Sequence, residues 1–172
     1  IMDKEGYVLS NEGFTTEAVK DLFLNKENNI LNSKEKVFDD KTNFWNHKSD
    51  VFLPCAGSRL VSRSNLDNLI KNGCELIASG ANVPFDNVEI LYGIVMEYAD
   101  NTISVIPDFI ANCGMARTFG YCMQKENEIS SKAIFKDVSD TIYRSLKTIF
   151  SMNSKATQIS QKAIAIAIKK IL

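Results

Sequence analysis

Three short apolar runs, each ending at a loop of small residues or proline, constrain this chain more than anything else in it. They are Asp50-Val51-Phe52-Leu53-Pro54, Cys74-Glu75-Leu76-Ile77-Ala78 and Thr102-Ile103-Ser104-Val105-Ile106-Pro107. The first is continuously apolar rather than alternating, the pattern of a buried parallel strand. Between the runs lie helical stretches. Ser64 is expected to cap a helix through Ile70 with Gly73 just beyond it, and residues 86–99 read as a second helix. Strands alternating with helices at this spacing predict an α/β fold, a parallel sheet with helices on both faces. Ligands of such sheets bind outside the carboxyl ends of the strands. Residues 55–58, 79–84 and 108–114 fall there, all rich in small side chains that let a ligand approach the backbone.

The flanks read differently. Residues 1–13 suggest a strand end, a turn and a short strand-like segment. Thr15 or Thr16 can cap a helix running to about Asn25, with Val19, Leu22 and Phe23 on its apolar side. Residues 25–33 are polar and turn-rich, residues 36–38 are a brief strand candidate, and Phe44-Trp45 is expected to anchor a loop or short helical turn. Near the other end, Ala133, Ile134, Val138, Ile142, Leu146 and Ile149 recur at helical spacing behind Ser130 or Ser131 as cap. After a break at residues 152–155, a second helix carries Ile159, Ala163, Ile164, Ala167, Ile168 and Ile171. The expected division is residues 1–128 as the sheet domain and 129–172 as two long helices.

Composition narrows the function classes. A net charge of -1 makes no electrostatic case for nucleic acid or an anionic membrane. The longest apolar run, Ala163 to Ile168, is too short to span a bilayer. The four cysteines form no CxxC pair and there is a single histidine, so no metal site is expected and reduced thiols in a cytoplasmic protein fit better. His47 reads as a surface residue rather than a catalytic base. Cys113 and Cys122 read as small packing residues, and Asp39-Asp40 as a solvated turn.

In order along the chain, each at a strand end, stand Pro54-Cys55-Ala56, Gly80-Ala81-Asn82, and Pro107-Asp108 followed by Asn112-Cys113-Gly114. Together they resemble the glutamate, leucine, phenylalanine and valine dehydrogenase family. Met2-Asp3-Lys4-Glu5-Gly6 and Ser10-Asn11-Glu12-Gly13-Phe14 also look like that family's turn and "EG" phrase, and lean toward the glutamate branch. Pro54-Cys55-Ala56 has more of the leucine branch. The resemblance implies a Rossmann-like, doubly wound parallel sheet that binds a dinucleotide. No GxGxxG is present, so the first strand-helix unit and the substrate domain before it are expected to lie outside the chain, and with them the catalytic groups.

The resemblance also implies roles. Asp3 would accept hydrogen bonds from the adenosine ribose, favouring NAD over NADP because a carboxylate repels a ribose phosphate; the plainer alternative is a solvated turn aspartate. Cys55 and Ala56 would line the adenine side, or simply pack closely at a strand end. Asn82 would bond the nicotinamide ribose and Asn112 the carboxamide, since an amide offers both donor and acceptor; the alternative for each is a loop residue capping its own backbone. Asp108 is expected to bond backbone amides in its loop. Met115-Ala116-Arg117-Thr118-Phe119 departs from the family, with Phe119 where the glutamate branch has a serine for the distal carboxylate. Arg117 could grip a carboxylate instead, or pair with solvent. The implied whole protein is an NAD-dependent, glutamate dehydrogenase-like enzyme. It would interconvert an L-amino acid with a 2-oxo acid and ammonia, and would be a homo-oligomer, hexameric in the glutamate branch. The alternatives are a hydrophobic amino acid dehydrogenase, with Phe119 in an apolar pocket, and a non-enzymatic nucleotide-binding module.

Overall fold

A computed structural model describes residues 1–28, 30–32, 37–38 and 40–171, and the chain divides into two compact units, Ile1–Lys48 and Ser49–Leu172. In the first unit, β1 (Tyr7–Val8) pairs antiparallel with β2 (Val37–Phe38), Tyr7 facing Phe38. Between them runs α1 (Thr16–Leu24), capped by Thr15, whose hydroxyl accepts the Ala18 N–H at 3.1 Å. Met2 bridges antiparallel to Tyr7, so the opening segment turns back on itself around Asp3. Of the expected apolar side of α1, only Leu22 is buried, against Val8 and Leu31 with Phe14 alongside. Val19 and Phe23 are exposed, because a core this small meets a single position of the helix. A 3-10 turn, Lys41–Asn46, realises the short helical turn expected around Phe44-Trp45, and the Asp40 carboxylate caps it through the Thr42 N–H. Asp39 and Lys36 lie outside the described residues. His47 is half-buried rather than superficial. Its Nε2 lies 3.1 Å from the Tyr7 hydroxyl, within an aromatic group of Tyr7, Phe44 and Trp45.

The second unit holds the three apolar runs as one parallel sheet in the order β3 (Val51–Phe52), β4 (Leu76–Ala78), β5 (Ser104–Ile106). Val51 faces Leu76, and Leu76 faces Ser104. The central strand buries Ile77 and the third buries Val105. The first run was expected to be buried, yet Val51 and Leu53, two residues apart and so on one face of the run, are exposed, while Phe52 on the other face is half-buried. Between β3 and β4 runs α2 (Arg63–Lys71). Its cap is Ser62, not Ser64, accepting the Asn65 N–H at 3.2 Å, and Gly73 beyond it takes the φ of 92° that a helix C-terminus favours. The next helix, α3 (Ile94–Thr102), begins eight residues later than the expected start at residue 86. The cause is Asn87, whose side-chain oxygen accepts the Val95 N–H at 2.8 Å and caps the helix from outside.

The remaining helices are α4 (Asp108–Ala111), α5 (Gly114–Cys122), α6 (Ser131–Met152) and α7 (Ile159–Ile171). Ser130 caps α6 through the Ala133 N–H. The two long helices pack on the sheet unit through Ile110, Ile149 and Ala163, with Ile106, Ile142, Leu146, Ile159 and Ile166 around them. No described helix is long and apolar enough to cross a membrane.

The start of α7 is held from 60 residues away. Fully buried Asp100, on α3, accepts the Ser160 and Gln161 N–H groups at 2.9 Å each and the Tyr92 hydroxyl at 3.1 Å. Its backbone carbonyl accepts the Gln158 N–H at 2.7 Å, and the Ser160 hydroxyl donates to the Val105 carbonyl at 2.8 Å. A carboxylate at a helix N-terminus meets unpaired amides and the positive end of the helix dipole. Burial, and next the Asp100 charge, push the Tyr92 hydroxyl well above its usual range.

Candidate cofactor site at the carboxyl ends of the sheet

The loops after β3 and β4 are stitched together. The Ala81 N–H donates to the Pro54 carbonyl at 2.7 Å, Arg59 N–H to Val83 at 2.8 Å, and Val61 N–H to Pro84 at 3.0 Å. The Ser58 hydroxyl adds a bond to the Asn82 carbonyl at 2.7 Å. A Cβ at residue 80 would lie 2.6 Å from Cys55 Sγ, so a larger residue there would make the exposed Cys55 side chain turn away. Cys55 Sγ lies against Gly80, and both Cys55 and Ala56 are exposed.

The loop after β5 closes the group. The Asp108 carboxylate, at the first residue of α4, accepts the Phe109 N–H of its own segment at 2.8 Å, as expected, and also reaches across to the loop after β4, where it accepts the Val83 N–H at 2.7 Å. Val83 is held at φ 46°, an uncommon conformation for a β-branched residue. Asn112 Nδ2 donates to Asn82 Oδ1 at 2.8 Å. Both side chains are exposed. The amide groups not used in this bond are a donor, Asn82 Nδ2, and an acceptor, Asn112 Oδ1. That set is complementary to a carboxamide.

The other expected site residues are differently placed. Asp3, in the first unit, accepts the Glu5 N–H at 2.8 Å and the Gly6 N–H at 3.1 Å on one oxygen, and the Leu31 N–H on the other. Burial pushes its pKa up, but these three amides and the Lys26 charge outweigh that and hold it below the usual carboxylate value. Arg117 faces a partner that sequence pattern did not reveal. Its Nε and Nη2 donate to the two Asp137 oxygens at 2.5 and 2.7 Å, fastening α5 to α6. The pair raises the Arg117 pKa and lowers that of Asp137, through the hydrogen bond first and the charge after it. Phe119 is exposed on α5, with Met115 one turn before it. Cys122 is exposed rather than packed, and all four cysteines are free thiols.

The profile of the Glutamate/Leucine/Phenylalanine/Valine dehydrogenase family matches residues 1–172. The chain belongs to this family. An NADP-specific glutamate dehydrogenase of Chlorella sorokiniana is 30% identical over 161 residues, covering 87% of the chain and 29% of that protein. The NADP-specific glutamate dehydrogenase of Haemophilus influenzae is 38% identical over 93 residues, covering 48% of the chain and 20% of the relative. Among solved structures, Plasmodium falciparum glutamate dehydrogenase 2 superposes with a TM-score of 0.68 at 25% identity, covering 97% of the chain and 39% of that structure. The chain therefore spans well under half the length of these dehydrogenases, and its parallel sheet with flanking helices has the Rossmann-like fold of the family.

Proposed function

We propose that this chain is the pyridine-nucleotide-binding part of an amino acid dehydrogenase that interconverts an L-amino acid with a 2-oxo acid and ammonia. The observation that carries it is the Asn112–Asn82 amide bond of 2.8 Å at the carboxyl ends of the sheet, where this fold takes ligands. Each amide orients the other, and their remaining donor and acceptor suit a nicotinamide carboxamide and its ribose. The cofactor, when bound, accepts or donates a hydride. The chain's own residues bind and orient it: Asn82 and Asn112 at the nicotinamide end, and Cys55 and Ala56 on the adenine side. The catalytic groups come from elsewhere in the whole enzyme. Residues 1–128 carry the nucleotide and the helices of 129–172 flank it. Assembly is as a homo-oligomer, hexameric by resemblance. Four free thiols accord with a reducing, cytoplasmic setting.

Asp3 supports NAD as the finer reading, because its carboxylate would repel a ribose phosphate. The names of relatives lean the other way: the Chlorella sorokiniana and Haemophilus influenzae enzymes are NADP-specific, as are those of Neurospora crassa and Saccharomyces cerevisiae, and a 25% identical enzyme of Xylanibacter ruminicola is NAD(P)-specific. Glutamate is the substrate those names support. A second reading, an apolar amino acid, is favoured by α5: its one charged side chain, Arg117, is engaged by Asp137, and Phe119 is exposed. The test is turnover of the full-length protein with NAD and NADP across glutamate, leucine and phenylalanine. Asn112→Ala should lower kcat/KM by roughly 10–100-fold through lost positioning, and Asp3→Ser should move the cofactor ratio toward NADP. Unchanged kcat/KM in the first variant refutes the nicotinamide site. An unchanged ratio in the second refutes the NAD reading.

A further inference from the structure

Ser79 stands immediately before the Gly80-Ala81-Asn82 loop and is fully buried. Among the described residues its Oγ is the one buried side-chain oxygen or nitrogen without a hydrogen-bond partner. A hydroxyl left unsatisfied in the interior is costly because it gives up its bonds to water without replacement, and native interiors leave few such groups. Ser79 also lines a cavity of about 10 Å³, together with Val83, Asn87, Met96 and Asp108. That is about the space one water molecule needs. Lining chemistry decides whether so small a hole is wet: apolar ones stay dry, whereas a water needs two to four polar partners. Here Ser79, Asn87 and Asp108 are the polar residues of the lining. Each Asp108 oxygen accepts one backbone N–H, from Val83 and Phe109, and a carboxylate oxygen can accept a second bond.

We propose that this cavity is a binding site for a single ordered water, held by the Ser79 hydroxyl together with Asp108 or Asn87. The water links the residue before the loop to the carboxylate that fixes Val83 at its far side. It braces from beneath the backbone that presents Asn82, and it helps sustain the left-handed Val83, a conformation that persists only where its surroundings over-determine it. The site stands independently of any cofactor assignment.

The test is a crystal structure of the full-length protein at a resolution that shows solvent, with amide hydrogen exchange of the wild type and Ser79→Ala. The expected density is one peak about 2.6–3.2 Å from Ser79 Oγ and within the same reach of a second polar atom. Exchange of the Val83 amide should rise roughly tenfold in Ser79→Ala, the factor that corresponds to about 1.4 kcal/mol. A Ser79 hydroxyl turned onto a protein carbonyl with no solvent peak overturns the proposal, and so does an unchanged Val83 exchange rate. The density is read from the wild type, so a variant that fails to fold leaves the water itself open to disproof.

Discussion

Asp100→Ala tests whether one carboxylate fastens α7 to the sheet. The change removes the acceptor from the Ser160 and Gln161 amides and from the Tyr92 hydroxyl at once. The Ser160 bond is fully enclosed, so its donor loses water as well as protein, at a cost of about 1–3 kcal/mol. The other two bonds are only partly buried, so their donors can turn to solvent, and the helix dipole loses its counter-charge. The total is about 3–5 kcal/mol, a large share of the 5–15 kcal/mol that holds a typical domain together. Asp100→Asn keeps one acceptor oxygen but turns an NH2 group toward a donor, so it should fall between wild type and alanine. Tyr92→Phe should cost only about 1 kcal/mol. Urea unfolding of the three variants followed by circular dichroism gives the ranking, and exchange of the Ser160 amide localises it. An Asp100→Asn protein within about 0.5 kcal/mol of wild type would refute the assignment of the cap to a charged group.

The same structure sets three further outcomes. Gly80→Ala should cost at most about 1 kcal/mol, from turning the exposed Cys55 side chain off its preferred rotamer, and Cys55→Ala should remove that cost, because the clash is with Cys55 Sγ alone below 3.0 Å; additive losses in the double variant would place the clash elsewhere. Asp137 and Asp3 both have folded pKa values held below the unfolded value of about 3.9. The stability they contribute is complete above that value and is lost as pH falls through it toward the lower folded value. Asp137→Asn should therefore be less stable than wild type near neutrality and approach it below about pH 4, as read by thermal unfolding across pH. Cys55 and Cys122 are exposed, whereas burial pushes the Cys74 thiol up. An alkylating reagent at pH 8 should label the exposed pair in the native protein and reach Cys74 only after unfolding; prompt native labelling of Cys74 contradicts its burial.

How much was legible in the sequence depended on how local the cause was. Strand runs, the Thr15 and Ser130 caps and Gly73 follow from neighbours within a few residues, and they stand where expected. So do the strand-end loops, because motif order is a property of the chain itself. The start of α3 was misplaced because Asn87 caps it from seven residues before its first turn, beyond a flat apolar pattern at residues 88–94. The Arg117–Asp137 pair spans 20 residues and the Asp100 cap about 60. Nothing in the local pattern around either aspartate distinguishes it from a solvated one. Ser79 gave no signal either, since a serine after a strand is ordinary until its burial is known.

The stitching of the loops after β3 and β4 has a thermodynamic consequence. Loops that fasten only when a ligand arrives charge that ligand with their ordering entropy. Here the Ala81–Pro54, Arg59–Val83 and Val61–Pro84 bonds are in place within the protein itself. A molecule that settles over them meets a preorganised floor, so its affinity reports its own contacts rather than the work of assembling the site.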